Sequence, residues 1–321
     1  MKSVVEPIEK YALKRDLSKS KPNIFKKLGL VGGGILSQEI ARMASGQGME
    51  VVLIETTKEK VKKALVGIEN DLDRMIERWG MTEGEKKAIL SRIEGFTDYR
   101  YLQDVDIIIE VLQKRSREDS VTLRKEVFRQ IEEVVKEDIV IATNSTTLLI
   151  TEFSSDLKHP ERCLSLHFLS PAAETPLVEV VRGLHTSEET MEKANRFAKM
   201  MNKKVIPVVE SPGIISTRLI APLINEACAI LMEGVGEMED IDKTMKLGFG
   251  FPMGPFEMAD KFGVDMVVRW LDNLYKEFGD LHYKASPILK KMVRGNRLGR
   301  ETHHGFYSYD EEGSVIKNKD L

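Results

Sequence analysis

The chain has 321 residues and a formal net charge of −3, with 42% hydrophobic and 31% charged residues. This length is enough for two domains that each bury a core of their own. The small net charge excludes capture of nucleic acid by the overall field as the main interaction. No apolar run approaches the length of a membrane span.

The cysteine content and the first residues favour a reduced, cytoplasmic protein. Cys163 and Cys228 are the only cysteines, so we expect neither a disulfide framework nor a cysteine metal site. Residues 1–27 mix Lys and Glu and contain few apolar runs, unlike a secretory signal. We therefore expect an N-terminal extension over residues 1–27, with a short helix at 6–15, and no membrane, nucleic-acid or metal partner.

The first regular elements predict a strand, a tight turn, a helix and a second strand. Lys27–Val31 is a short apolar run that ends in three consecutive glycines. A helical pattern begins at Ile35, and Glu50–Glu55 has the composition of a second strand. This order is typical of a βαβ unit.

The following residues alternate between helical and strand patterns. Two charged helices, at residues 57–78 and 82–92, are expected to form an antiparallel pair that projects from the sheet. Further strands are predicted at residues 106–110, 139–142, 163–168, 177–181 and 204–209, with an amphipathic helix at 117–136. Because these strands are apolar almost throughout, we expect helices on both faces of the sheet.

The pattern changes after Ser211-Pro212-Gly213, where consecutive helices separated by Gly and Pro extend to about Arg294. The predicted fold class is α/β. A Rossmann-type, mostly parallel sheet domain over residues 28–210 is followed by an all-α C-terminal domain over residues 211–321.

The glycine turn has the features of a dinucleotide-binding fingerprint. Gly32 permits the tight turn, Gly34 lets a pyrophosphate approach the backbone, and Ser37 stands where the helix meets the strand. Glu55 ends the second strand, where a carboxylate accepts both ribose hydroxyls and repels a 2′-phosphate, so we expect NAD. The alternative is a turn that binds nothing. The charge of Glu39, close to the expected pyrophosphate, favours that alternative.

A histidine and a carboxylate form the candidate catalytic pair. His167 ends a buried strand, and Glu179 lies in the apolar strand that follows, where an unpaired carboxylate is costly to bury. The short turn over residues 170–176 brings the two strands together, so we expect the pair to be in contact. A carboxylate fixes the tautomer of the imidazole and supports its protonated form, as a general base near neutral pH requires. A structural buried pair without chemistry is the alternative.

Several motifs together resemble one enzyme family. They are Val31–Gly34, Ile107–Glu110, Ala142–Leu148, Leu166–Phe168, Leu177–Val180, Ser211–Gly213, Glu239–Asp242, Gly254–Glu257 and Gly305–Tyr307. From Leu28 to about Tyr309 the chain resembles the L-3-hydroxyacyl-CoA dehydrogenases, which include bacterial 3-hydroxybutyryl-CoA enzymes. The resemblance implies an NAD-dependent oxidoreductase that interconverts a short-chain (S)-3-hydroxyacyl-CoA and its 3-keto form. It also implies a homodimer joined through the helical domain.

The resemblance assigns roles to four residues. His167 takes the proton of the 3-hydroxyl while hydride leaves C3 for the nicotinamide, and Glu179 orients His167. Thr146 stands where the family has a serine whose hydroxyl contacts the C3 oxygen of the substrate. Glu110 matches the acid at the strand edge beside the cofactor.

Three positions depart from the family pattern. Ser170 and Thr217 stand where the family has asparagine, and Gln113-Lys114 replaces an expected second acid. Each hydroxyl keeps a donor but has a shorter reach, and loss of a substrate-polarising donor can cost about 3 kcal/mol of transition-state stabilisation. Because the base, its carboxylate and the hydroxyl turn are retained, we interpret the departures as a shifted substrate pocket that Ser170 and Thr217 still line.

The charged helices match the part of the family that contacts coenzyme A. Lys62, Lys63 and Arg74 are candidate partners of its phosphates, although such charges often only form a solvated face. Two other functions stay open. One is a dehydrogenase of a free 3-hydroxy acid, as in the related gulonate dehydrogenases. The other is a catalytically inactive structural or binding protein, as in the related lens crystallins.

Overall fold

The computed structural model describes residues 25–78, 80–112, 117–310 and 313–316. The predicted helix at 6–15, nearly all of the predicted extension and the departure at 113–114 lie outside the described residues. The strands are β1 (Lys27–Val31), β2 (Glu50–Ile54), β3 (Ile93–Phe96), β4 (Ile107–Glu110), β5 (Val140–Thr143), β6 (Cys163–Phe168), β7 (Leu177–Arg182) and β8 (Lys204–Val209). The helices are α1 (Ile35–Gly46), α2 (Lys58–Glu77), α3 (Glu83–Leu90), α4 (Arg117–Val134), α5 (Ile150–Ser154), α6 (Glu188–Met200), α7 (Ser216–Met232), α8 (Met238–Lys243), α9 (Pro255–Phe262), α10 (Val264–Phe278) and α11 (Pro287–Arg294).

The strands of the described residues form one eight-stranded sheet in the order β3-β2-β1-β4-β5-β6-β7-β8. All neighbouring strands are parallel except β6 and β7, which are antiparallel. The predicted Rossmann-type, mostly parallel sheet is therefore confirmed. In such sheets ligands bind outside the carboxyl ends of the parallel strands.

Strand β3 was not predicted from the sequence. The segment Ile93–Phe96 has only four residues, and one of them is Gly95. It forms a strand because its backbone pairs with β2, from Val51↔Ile93 to Ile54↔Phe96. An isolated run this short carries no periodicity that separates a strand from a loop.

Two apolar clusters cover the two faces of the sheet. One includes Leu30, Ile109 and Phe197, and the other includes Ile108 and Phe128. The expected cover on both faces therefore holds for the central strands. It is wrong for the edge strand β8, whose residues are all exposed or half-buried, with Val209 77% exposed, because this strand lies at the margin of the sheet.

The elements from Ser216 to Arg294 are helices, and they enclose an apolar cluster of their own that includes Ile224, Phe256 and Leu271. The backbone between residues 299 and 315 instead makes isolated antiparallel bridges, such as Tyr309↔Val315. The prediction of a helical C-terminal part is confirmed. In the described part of the chain, no helix is both long and apolar enough to cross a membrane.

Candidate active site

Two glycines shape the turn between β1 and α1, for different reasons. Gly32 has a φ of +107°, its amide donates to the carbonyl of Ile54 at 2.9 Å, and an added Cβ would lie 2.9 Å from the carbonyl oxygen of Val111. Gly34 precedes α1 with a φ of −69°, and nothing described lies within 4 Å of its added Cβ. Gly32 is therefore required by the chain itself, whereas Gly34 leaves open space over the start of α1.

The start of α1 is suited to an anion. No side chain among the described residues caps this end, and its first turn carries no acidic residue. Free helix N–H groups and the helix dipole attract phosphate. The open approach over Gly34 therefore fits the pyrophosphate of a dinucleotide.

Ser37 and Glu39 both face the protein interior. The Ser37 hydroxyl is fully buried and donates to the carbonyl of Gly32 at 2.5 Å, so this predicted cofactor residue supports the turn. Glu39 is only 8% exposed, and its carboxylate accepts the amide of Ala172 at 2.7 Å and the Ser170 hydroxyl at 3.2 and 3.3 Å. The negative charge of Glu39, which favoured a turn that binds nothing, is thus hydrogen-bonded to the loop after β6.

Glu55 lies beside the glycine turn. Its Oε1 accepts the amide of Gly33 at 2.8 Å, and its Oε2 accepts the amide of Thr56 at 2.9 Å. The carboxylate is partly exposed at the end of β2, where an acid can meet the ribose of a dinucleotide.

Glu110 is enclosed by protein. It is fully buried at the end of β4, and its Oε2 accepts Arg124 Nε at 3.0 Å and the Thr143 hydroxyl at 2.5 Å. Its Oε1 accepts the amide of Leu112 at 2.5 Å. In this structure the carboxylate ties α4 to the ends of β4 and β5, and its contact with the cofactor stays a prediction.

His167 and Glu179 are directly opposite each other in the antiparallel pair of β6 and β7. His167 Nδ1 lies 2.7 Å from Glu179 Oε2, and the two residues are 8% and 2% exposed. Burial by itself would raise the pKa of Glu179, but hydrogen bonds from His167 and Ser216 hold it below its ordinary value. The geometry therefore pairs an ionised carboxylate with Nδ1. Among the described residues, none hydrogen-bonds Nε2 of His167.

Ser216 and Asn144 belong to this site but were missed in the sequence. The Ser216 hydroxyl donates to Glu179 Oε2 at 2.6 Å, and its amide donates to Oε1 at 3.0 Å. The Asn144 side chain accepts the amide of Phe168 at 2.8 Å and so holds the end of β6 beside that of β5. The start of a helix after Ser-Pro-Gly was the available signal for Ser216, because helix N-termini attract carboxylates.

Backbone contacts bring Thr146 and Thr217 to the same region. The amide of Gly213 donates to the carbonyl of Thr146 at 2.8 Å, which ties the loop after β5 to the chain entering α7. Thr146 is half-buried, and Thr217, the residue after Ser216, is 4% exposed. Both predicted substrate contacts thus lie on segments that adjoin the His167–Glu179 pair.

Ser170 lies in the loop that joins the two strands of the pair. Its hydroxyl points to Glu39, as described above, so its contact with substrate stays a prediction. The buried amine of Lys203 donates to the carbonyls of Ala172 and Thr175 at 2.5 and 2.7 Å. Glu39 and Lys203 both hold this loop by hydrogen bonds.

The basic residues of α2 are not hydrogen-bonded to these groups in the described structure. Lys62 and Lys63 are exposed, and Arg74 pairs with Asp71 on the same helix. The antiparallel arrangement of α2 and α3 is supported by Lys86 of α3, which pairs with Glu69 and Asp73. None of the described hydrogen bonds joins Lys62 or Lys63 to His167 or to the glycine turn.

Comparison with known proteins identifies the family. The family model described as "3-hydroxyacyl-CoA dehydrogenase, NAD binding domain" matches residues 27–211, and "3-hydroxyacyl-CoA dehydrogenase, C-terminal domain" matches residues 213–309. A 3-hydroxybutyryl-CoA dehydrogenase of Clostridioides difficile is 39% identical over 89% of this chain and 100% of its own length.

Two solved structures share the whole architecture. The (S)-3-hydroxybutyryl-CoA dehydrogenase of Ralstonia eutropha is 34% identical with a TM-score of 0.80, over 89% of this chain and all of its own. FadB2 of M. tuberculosis is 29% identical with a TM-score of 0.86, over 90% of this chain and all of its own. The chain therefore belongs to the 3-hydroxyacyl-CoA dehydrogenase family, and it is an NAD-dependent dehydrogenase.

Proposed function

We propose that this protein interconverts a short-chain (S)-3-hydroxyacyl-CoA, such as 3-hydroxybutyryl-CoA, and the corresponding 3-ketoacyl-CoA, with His167 as the general base. The observation that carries the proposal is the 2.7 Å contact of His167 Nδ1 with Glu179. This contact lies toward the carboxyl ends of the parallel strands, where the glycine turn also lies. The names of the relatives support the substrate class.

His167 moves the proton in this proposal. With Nδ1 bonded to Glu179, the neutral imidazole keeps its hydrogen on Nδ1 and offers the lone pair of Nε2 to the 3-hydroxyl of the substrate. Glu179 stabilises the imidazolium that forms when Nε2 takes this proton. Bound NAD supplies the acceptor for the hydride that leaves C3, and reduction of the 3-ketoacyl-CoA runs through the same groups in reverse.

The hydroxyls of Thr146 and Thr217 are proposed to contact the C3 oxygen, and Ser170 is proposed to line the same pocket. The start of α1 and Glu55 would hold the pyrophosphate and the ribose. Lys62 and Lys63, exposed on α2, are proposed to meet the phosphates of coenzyme A.

A substrate panel tests this function. The purified chain is mixed with NADH and either acetoacetyl-CoA or free acetoacetate, and the NADH absorbance is followed. We expect consumption with acetoacetyl-CoA and at least about 100-fold lower kcat/KM with acetoacetate, since the thioester substrate brings the binding energy of coenzyme A. The reverse preference would contradict the proposal and favour a free 3-hydroxy acid. NADH binding without turnover of either compound would indicate an inactive homologue.

We further propose that residues 28–210 and 211–321 are separate domains and that two copies associate through the second. Exposed apolar side chains on the helical part support association, among them Val235 (72%), Leu247 (85%) and Phe249 (70%). Sedimentation of the full chain should give a dimer, and Phe249→Glu should shift it toward monomer. Leu184→Glu is the matched control, because Leu184 is 76% exposed but lies after β7. A wild-type monomer would contradict the proposal.

A further inference from the structure

Ser216 contacts both members of the proposed catalytic pair. Its hydroxyl lies 2.6 Å from Glu179 Oε2 and 3.4 Å from His167 Nδ1, and its amide donates to Glu179 Oε1 at 3.0 Å. Ser216 is the first residue of α7, so both Glu179 oxygens are held by one residue at the start of a helix.

The hydroxyl competes with the imidazole for one oxygen. Glu179 Oε2 accepts from His167 Nδ1 at 2.7 Å and from Ser216 at 2.6 Å. A hydrogen bond to a carboxylate stabilises its ionised form and lowers its affinity for protons. Ser216 therefore weakens the attraction of Glu179 for a positive imidazolium, because part of the charge of Oε2 is already neutralised by the hydroxyl.

We propose that Ser216 is a positioning residue that keeps the proton affinity of the His167–Glu179 pair low enough for His167 to act as a base near neutral pH. This inference rests on the proposed role of His167.

Charged groups on the segments that adjoin β6, β7 and α7 have partners of their own. Glu39 of α1 accepts from Ala172 in the loop between β6 and β7, Lys203 before β8 donates to carbonyls of the same loop, and Arg182 of β7 pairs with Glu188. Arg218 of α7 donates to Tyr283 and Ser211. Among the described hydrogen bonds of the two side chains, those from outside the pair all come from Ser216.

The test is the pH profile of Ser216→Ala, with Ser216→Thr as the matched variant that keeps the hydroxyl. We measure kcat/KM for oxidation of 3-hydroxybutyryl-CoA at saturating NAD. In the alanine variant the acid limb should move up by about 0.5–1 pH unit, with a roughly 3–10-fold loss below the limb and little change above it. The threonine variant should keep the wild-type limb.

Two outcomes would overturn the proposal. One is an equal loss at every pH with the limb unmoved, which indicates a purely structural role. The other is a profile of Ser216→Ala that matches the wild type. Thermal melting of both variants checks that they are folded.

A substrate-independent measurement separates this inference from the proposed function. The imidazole of His167 is titrated by NMR in the full chain, with His167→Gln identifying its signal among the six histidines. If the wild type oxidises no 3-hydroxyacyl-CoA, the proposed function fails, while a higher His167 pKa in Ser216→Ala would still support the role of Ser216. An unmoved His167 titration would overturn that role even in an active enzyme.

Discussion

The amide of Gly33 donates a 2.8 Å hydrogen bond to Oε1 of Glu55. The glycine turn and the acid at the end of β2 are thus joined, although 22 residues separate them in the chain. An added Cβ at Gly33 would lie 3.0 Å from Glu55 Cγ and 2.9 Å from Ala64 Cβ. Gly33, the middle glycine of the three, is therefore required by close packing of the acid and α2 against the turn.

We expect Glu55→Ala to weaken NADH binding by about 10–100-fold, because the variant loses a hydrogen bond to a charged group. The variant should also discriminate less against NADPH. Fluorescence titration with each cofactor measures both effects. Glu50→Ala at the exposed start of the same strand is the control and should leave both affinities unchanged. An unaltered preference in Glu55→Ala would remove Glu55 from cofactor selection.

The two glycines at positions 32 and 34 should respond differently to alanine. Gly32→Ala should cost about 1–3 kcal/mol of unfolding free energy, because a side chain there is strained by the positive φ and by the carbonyl of Val111. Gly34→Ala should change stability by less than about 1 kcal/mol, because its backbone is extended and its surroundings are open.

The NADH affinity of Gly34→Ala is the second quantity to measure. Gly34→Ala should fold and yet bind NADH much more weakly, since the new methyl group would occupy the approach to the start of α1. Denaturant unfolding and fluorescence titration provide the two measurements. Wild-type affinity in Gly34→Ala would mean that the cofactor does not pass over this glycine.

His167→Gln should lower turnover by about 100–10,000-fold, the usual contribution of a general base, and change NADH affinity by no more than about twofold. Steady-state kinetics and NADH titration give the two values. His159→Gln is the control, because His159 is paired with Glu161 near the surface, away from the site. Comparable turnover of His167→Gln and the wild type would exclude His167 from the mechanism.

Asp260 makes the stability of the helical part depend on pH. Burial raises its pKa, although the amides of Tyr307 and Phe306 and the Tyr309 hydroxyl act in the opposite direction. The folded state therefore binds this proton more tightly than the unfolded state, and ionisation of Asp260 lowers stability as pH rises through the raised folded pKa. At neutral pH, the 3.0 Å bond from the Tyr309 hydroxyl stabilises the carboxylate.

Tyr309→Phe should cost about 1.5–3 kcal/mol at neutral pH, because it removes a hydrogen bond to a buried carboxylate. The loss should shrink as pH falls through the folded pKa, since a protonated Asp260 depends less on that donor. Urea unfolding at several pH values measures this trend. Tyr101→Phe, at a 52% exposed position, should stay within about 0.5 kcal/mol. An equal cost of Tyr309→Phe at every pH would contradict the assignment.

The sequence by itself determined the order of most elements and the chemistry of the glycine turn. The strand Ile107–Glu110 is an apolar run that ends in an acid, and the positive φ of Gly32 belongs to its own turn, so both leave a local pattern. The opposition of His167 and Glu179 could also be predicted, because a short loop joins their strands. The edge strand β3 could not be predicted, since only its pairing with β2 makes it a strand.

Only the tertiary structure decided which polar groups surround the pair. Ser216 reaches Glu179 across 37 residues, Asn144 reaches Phe168 across 24, and Glu39 reaches Ser170 across 131. A hydroxyl or amide at such positions suits a solvated loop equally well, so its residue type carries no signal. The partner of each group is set by how α1, the strand ends and α7 come together in space. The periodicity of the sequence contains no information on the distances between these elements.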